Sequence, residues 1–196
     1  GMLWKLNVAL YSLDDASLQF HFKCKEVFEK MDLQQSKLDP AMFYEADEHG
    51  QLKKALVPHV DDFLHIGSDK DQKKLTSRLG SIFEMGKVEK YNFKYLGYQI
   101  IQDKENFSIK IDQAEYASKL EIVKIQPERK KDLKQKLNPE EKTMMKQISG
   151  RIDWLGRGTR PDLLFNQVEI STRFVSGEVG DLVQGVKALR KAIYHE

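Results

Sequence analysis

The chain has 196 residues, 40% of them apolar, with 32 Lys and Arg against 30 Asp and Glu for a formal charge of +2. That length allows one large domain or two small ones around a real core, and the balanced charge excludes a strongly basic nucleic-acid arm while leaving room for a local basic groove. One cysteine, Cys24, excludes an internal disulfide framework; with no apolar run near the ~20 residues of a membrane span and no signal-peptide pattern, the expectation is a soluble, intracellular protein, cytoplasmic or nuclear, without membrane contact.

After Leu3-Trp4-Lys5-Leu6, the pair Asp14-Asp15 reads as a helix cap. Ala16, Phe20, Cys24, Val27, Phe28 and Met31 then recur at three- and four-residue steps, which predicts a helix with one apolar face. Cys24 lies on that face and reads as a buried structural thiol rather than a nucleophile or ligand. Asp39-Pro40 breaks the chain, Ala41-Met42-Phe43-Tyr44 reads as a strand, and His49-Gly50 is a turn. Next, Ala55-Leu56-Val57-Pro58 runs up to His59-Val60-Asp61-Asp62, and Phe63-Leu64-His65-Ile66-Gly67 resumes the apolar run. That pattern predicts two short strands joined by a tight acidic turn. Two carboxylates at a hairpin tip suit a hard divalent cation, because Mg²⁺ takes oxygen ligands in near-octahedral geometry. Two such ions can clamp the attacking and leaving oxygens of a phosphoryl transfer. Adjacent aspartates in turns also serve simply as solvated turn residues, so the tetrapeptide takes its meaning from its surroundings.

Ser68 with Asp71 three residues on has the form of a capping box, Asp replacing the usual Glu, and opens a helix whose Leu75, Leu79, Ile82 and Phe83 share a face. Residues 95–101, a polar turn at Asp103-Lys104-Glu105-Asn106 and residues 107–111 predict a second hairpin with an alternating return strand. Asp112 and Glu115 cap a short helix through Leu120. The segment 128–136 is charged and without apolar period, so it reads as a solvated linker. Asn138-Pro139-Glu140-Glu141 is a strong helix start, followed by Met144, Met145, Ile148, Ile152 and Leu155. Gly156 and Gly158 are read as ending that helix, Pro161-Asp162 as starting another, and Asp181 as capping a last one. The predicted class is α+β: a mixed lobe with antiparallel strands over 1–120, a linker over 121–138, and an all-helical lobe over 139–196.

Read in order, several blocks resemble the reverse transcriptase of copia-type LTR retrotransposons. Residues 3–17, Leu3-Trp4-Lys5-Leu6 through Ala16-Ser17, are similar to the segment ahead of that family's long palm helix. Gln35-Ser36-Lys37-Leu38-Asp39-Pro40-Ala41-Met42-Phe43 is similar to its Q-S-x-x-D-P-x-x-F block, and His59-Val60-Asp61-Asp62 stands where the family has Y-V-D-D or H-V-D-D. Phe93-Lys94-Tyr95-Leu96-Gly97 resembles the primer-grip hairpin, and Ile148-Ser149-Gly150 and Thr159-Arg160-Pro161-Asp162-Leu163 resemble L-x-G and T-R-P-D-I. No single block is specific; their order is.

The resemblance implies part of a polymerase palm followed by a thumb or connection-like region, with Asp61 and Asp62 as catalytic residues and ligands of Mg²⁺ (or Mn²⁺). Phe93, Lys94, Tyr95, Leu96 and Gly97 would hold a primer end, with Lys94 near phosphate, and Tyr11, Ser12 and Asp14 would form a loop on the nucleotide and template side. The implied partners are an RNA or DNA template–primer duplex and a deoxynucleoside triphosphate, and the implied reaction is template-directed nucleotidyl transfer. Departures from the family pattern point the other way. Ser12 and Asp14 stand where the family commonly has Gly and Lys, and Leu18 where Arg is frequent. An anion in place of a cation repels a triphosphate. In that family an upstream block supplies a further essential aspartate and the fingers; Asp61 and Asp62 alone leave two octahedral ions without a bridging carboxylate. The isolated chain is therefore expected not to be competent, with metal binding weak or absent. The alternative is a domesticated, non-catalytic remnant that binds nucleic acid or protein. An unrelated metal or phosphate enzyme is the weakest reading, since His21, His49, His59, His65 and His195 show no ligand spacing. A partial palm would also leave a sheet edge and apolar face to be covered, by self-association or by a partner chain.

Overall fold

A computed structural model describes residues 16–60 and 62–194. The fold is α+β, and its contacts divide the chain into two compact units, residues 1–88 and 89–196.

Among the described residues, the first unit holds α1 (Ala16–Glu29), four antiparallel strands in the order β1 (Gln34–Gln35), β2 (Phe43–Ala46), β3 (Leu52–His59) and β4 (Asp62–Ile66), and α2 (Asp69–Gly80). Strand alternation places Phe43, Leu56 and Phe63 on one sheet face. Against them pack Cys24, Val27 and Phe28 of α1 and Leu75 and Leu79 of α2. Phe28 sits edge-on to Phe43 with centroids 4.9 Å apart, the favoured arrangement of two ring quadrupoles. Cys24 is fully buried, and burial pushes its thiol up to about 12, so it is the inert apolar residue the helix pattern predicts. Ser68 caps α2 by accepting from the Asp71 amide at 3.2 Å, while its hydroxyl donates to the Asp71 carboxylate. The expected cap of α1 at Asp14-Asp15 lies outside the described residues.

The second unit begins with a three-stranded antiparallel meander, β5 (Asn92–Tyr95), β6 (Tyr98–Gln102) and β7 (Ile109–Asp112), followed by α3 (Ala114–Ser118). Its helical part comprises α4 (Pro139–Gly158), α5 (Leu164–Thr172) and α6 (Val179–Tyr194). Met145, Ile148, Ile152 and Leu155 of α4 meet Ile170 of α5 and Leu182, Val186 and Leu189 of α6 in a single core. The start signal of α4 forms as a full capping box. Asn138 Oδ1 accepts from the Glu141 amide at 2.8 Å, and the Glu141 carboxylate accepts from the Asn138 amide at 2.9 Å. Among the described residues no helix is long and apolar enough to cross a membrane.

Four details of the sequence reading change. The division falls at 88/89 rather than at 120/121, so the second hairpin belongs with the helices. The segment read as a solvated linker is held down: Ile125 and Leu137 are buried in the helical core, and Arg129 grips Glu141 with Nε and Nη2, each at 2.8 Å. A bidentate guanidinium–carboxylate pair fixes geometry as well as charge, and the same Arg129 donates to the Lys136 carbonyl at 2.7 Å. Finally, Gly156 does not end α4; it lies inside the helix, where a Cβ would stand 2.8 Å from a Leu164 methyl, so the residue is there for close packing. Asp181 likewise sits in the first turn of α6, accepting from the Glu178 amide at 2.8 Å, instead of preceding the helix.

Candidate functional site

The acidic motif closes the β3–β4 hairpin. His59 pairs with Asp62 across the ladder and Pro58 pairs with Phe63, which leaves a two-residue connection that begins at Val60. Two-residue hairpin loops need positive φ at the first central position to match the strand twist, and Val60 has φ +50°. For a β-branched residue that is a true outlier, costing on the order of 1–3 kcal/mol. The surrounding ladder enforces it. Asp62 is exposed at the start of β4, on the same face as its partner His59 and opposite to the Phe63 ring that enters the core. Asp61 lies outside the described residues, as do Tyr11, Ser12 and Asp14.

Among the described residues, no group of three or more His, Cys, Asp or Glu side chains could hold a metal ion. The described donor set at the tip is the single carboxylate of Asp62. It suits one vertex of a hard-cation site and does not make a complete one, since Mg²⁺ takes six oxygens.

Residues 95–101, read as one strand, are broken by a turn at 96–97, and the β5–β6 hairpin closed by it has the same turn length with different chemistry. Tyr95 pairs with Tyr98, and the loop between them is Leu96-Gly97, with φ +50° and +82°. Positive φ at both central residues is the signature of a type I′ turn, which glycine fills without strain and leucine does not. Phe93 and Tyr95 are half-buried on one face while Asn92 and Lys94 are exposed on the other. Lys94 is not a lone cation, because its ammonium contacts the Glu115 carboxylate of α3. Lys119, at 2.6 Å, together with Lys94 holds the Glu115 carboxyl down to about 2.

Residues 1–128 match the family model described as Reverse transcriptase (RNA-dependent DNA polymerase). The chain belongs to that family. No curated protein and no solved structure matches it. The match takes in both hairpins of this reverse transcriptase chain and ends ahead of α4, so the helical part of the second unit lies beyond the matched residues.

Within the reverse transcriptase chain, the structure places the two sets of sequence-predicted residues in different units: Asp62 in the first, and Phe93, Lys94, Tyr95, Leu96 and Gly97 in the second. It also shows what sequence reasoning missed. Trp154 of α4 packs on the second turn, tilted against Tyr98 with ring centroids 5.9 Å apart, and lies 3.4 Å from where a Cβ of Gly97 would be. Gln113, 3% exposed, bonds the end of α4 through both ends of its amide. The available signal was a polar residue directly after the alternating strand 107–112, at a position where a buried amide needs partners. The T-R-P-D motif is a clamp at the α4–α5 junction. Arg160 Nε and Nη2 donate to Asp162 at 2.9 and 3.0 Å, Lys191 adds a contact at 3.2 Å, and the pair, Arg160 foremost, holds the Asp162 carboxyl down to about 2.

Proposed function

We propose that this chain is the later part of the polymerase region of a copia-type LTR retrotransposon reverse transcriptase, comprising the palm hairpin, the primer grip and a thumb or connection-like helical lobe. The observation that carries the reading is the β3–β4 hairpin: its connection is two residues long, and Asp62, the described member of the acidic pair, is exposed at the first position of the return strand in a chain of this family. Asp61 and Asp62 are assigned as catalytic carboxylates, with Asp61 the principal and Asp62 the secondary holder of Mg²⁺ or Mn²⁺. When bound, such ions supply charge stabilisation for nucleotidyl transfer. Residues 93–97 are assigned to the primer end, with the half-buried Phe93 and Tyr95 giving the strand its footing and the Leu96 side chain exposed at the turn. A template–primer duplex and a deoxynucleoside triphosphate are the proposed partners, and Tyr11, Ser12 and Asp14 are proposed to lie on the nucleotide and template side.

As an isolated 196-residue polypeptide the chain is proposed to be inactive and to hold metal weakly, because two carboxylates are too few for two octahedral ions. Primer extension on an RNA template with Mg²⁺ or Mn²⁺ tests this, comparing the chain with Asp61→Asn. No extension by either protein is expected, and extension that survives Asp61→Asn removes the hairpin from catalysis. Duplex affinity that falls steeply with salt supports a polymerase-type surface. Affinity that is absent at low salt replaces this reading with a protein-binding remnant. The sheet face opposite α1 and α2 carries Tyr44, Val57, Leu64 and Ile66, the last 55% exposed. We propose self-association or a partner chain over that face; a monodisperse monomer in light scattering at high concentration counts against it.

A further inference from the structure

Among the described residues, few polar side chains are as buried as Gln113. It sits between β7 and α3, and its partners lie more than forty residues away at the end of α4. Nε2 donates to the Trp154 carbonyl at 3.3 Å, and Oε1 accepts from Thr159 Oγ1 at 3.0 Å. The approach is made possible by Gly158, where a Cβ would overlap both Gln113 Oε1 and the Tyr98 ring. Tyr98 in turn closes the second hairpin opposite Tyr95 and packs on Trp154. Apolar packing alone could fill this space without the cost of burying an amide. Two directed hydrogen bonds add something packing does not, since a satisfied buried polar pair selects one orientation of the elements it joins.

We propose that Gln113 is a positioning residue, tying the Tyr95–Tyr98 turn to the C-terminal end of α4 so that the turn meets nucleic acid at a fixed place relative to the helices. The nucleic-acid half of this proposal rests on the reading of residues 93–97 as the element that holds a primer end. The positioning half does not.

The test uses the full 196-residue chain. Gln113→Met keeps the volume and removes both hydrogen bonds, and Thr159→Val removes one of them with less risk to folding. Amide hydrogen exchange across residues 93–99 is expected to quicken by about fivefold or more in Gln113→Met and less in Thr159→Val, in line with the loss of one or two ordinary hydrogen bonds. Ile170→Val, a core substitution away from this contact, lowers the melting temperature and should leave exchange in 93–99 unchanged, which separates positioning from general stability. Affinity for a primer–template with a recessed 3′ end should fall about fivefold to tenfold in Gln113→Met, with affinity for a blunt duplex unchanged. Unaltered exchange in both Gln113→Met and Thr159→Val overturns the positioning role. Altered exchange with unaltered primer–template affinity overturns its link to nucleic acid. Wild-type chain that binds neither nucleic acid overturns the primer-end reading of residues 93–97, and the exchange data still decide the coupling.

Discussion

The two hairpins share a turn length and a non-glycine residue at positive φ, yet they are held at opposite ends. The β3–β4 hairpin is anchored at its base, where Leu56 and Phe43 are buried under α1, and it is free at its tip, where Val60 and Asp62 face solvent. The β5–β6 hairpin is anchored at its turn by Trp154, and its far side is open, with Ile109 and Ile111 of β7 more than half exposed. An exposed tip on a rigid base suits a carboxylate that must stay solvated or meet a cation. A turn seated on a helix suits a contact that must be placed. The position of the anchor, rather than the turn itself, separates the two.

The largest expected effect comes from removing the base of the first hairpin. Phe28→Ala empties a fully buried site between Phe43 and Phe63, and should cost about 3–5 kcal/mol in denaturant unfolding followed in the first unit. A loss below about 1 kcal/mol would mean that the aromatic cluster is not what holds the hairpin. A smaller change of opposite sign is expected at the tip. Val60→Gly relieves a left-handed β-branched residue, and after the entropy that glycine adds to the unfolded chain it should raise stability by about 1 kcal/mol. Destabilisation by that substitution would show that the turn is not strained as its φ implies.

The smallest effect is one of pH, in the second unit. Asp162 is held at about 2, below the ordinary 3.8, by Arg160 first and Lys191 after it. A depressed carboxyl contributes its stability in full above the unfolded value and loses it as pH falls from about 4 to 2. The side chain is 43% exposed, so solvent screens the pair and the contribution is modest. Unfolding curves of Asp162→Asn should therefore lack part of the wild-type slope between those pH values and match it at pH 7 more closely than Phe28→Ala does. An identical slope in both proteins would remove the clamp from the account.

What the sequence made legible was local. The helix caps at Ser68 and Asn138 form, the second as a full capping box, because cap and partner stand three residues apart and need nothing else. The first hairpin could be read because apolar runs stop and resume around two residues, and Cys24 because it falls on a helical period. Partners distant in sequence were hidden. Arg129 reads as one charge in a charged run, until the fold brings Glu141 against it. Gln113 carries no mark in the sequence, and its partners are known only once the end of α4 arrives. The division at 88/89 was missed for the same reason: the second hairpin alternates like any strand pair, and only Trp154, some sixty residues on, shows which body it joins. At the first hairpin, the spacing pointed to a tight turn, but left-handed Val60 is a demand of the two-residue loop that valine itself does not advertise.

The sole thiol of the chain sits in the first unit, fully enclosed and with its proton held to about 12. Alkylating reagents need a thiolate they can reach, so they will modify Cys24 only in molecules whose first unit has opened. The protein thus carries a native chemical reporter of breathing in the half that bears Asp62, silent toward events confined to the other half.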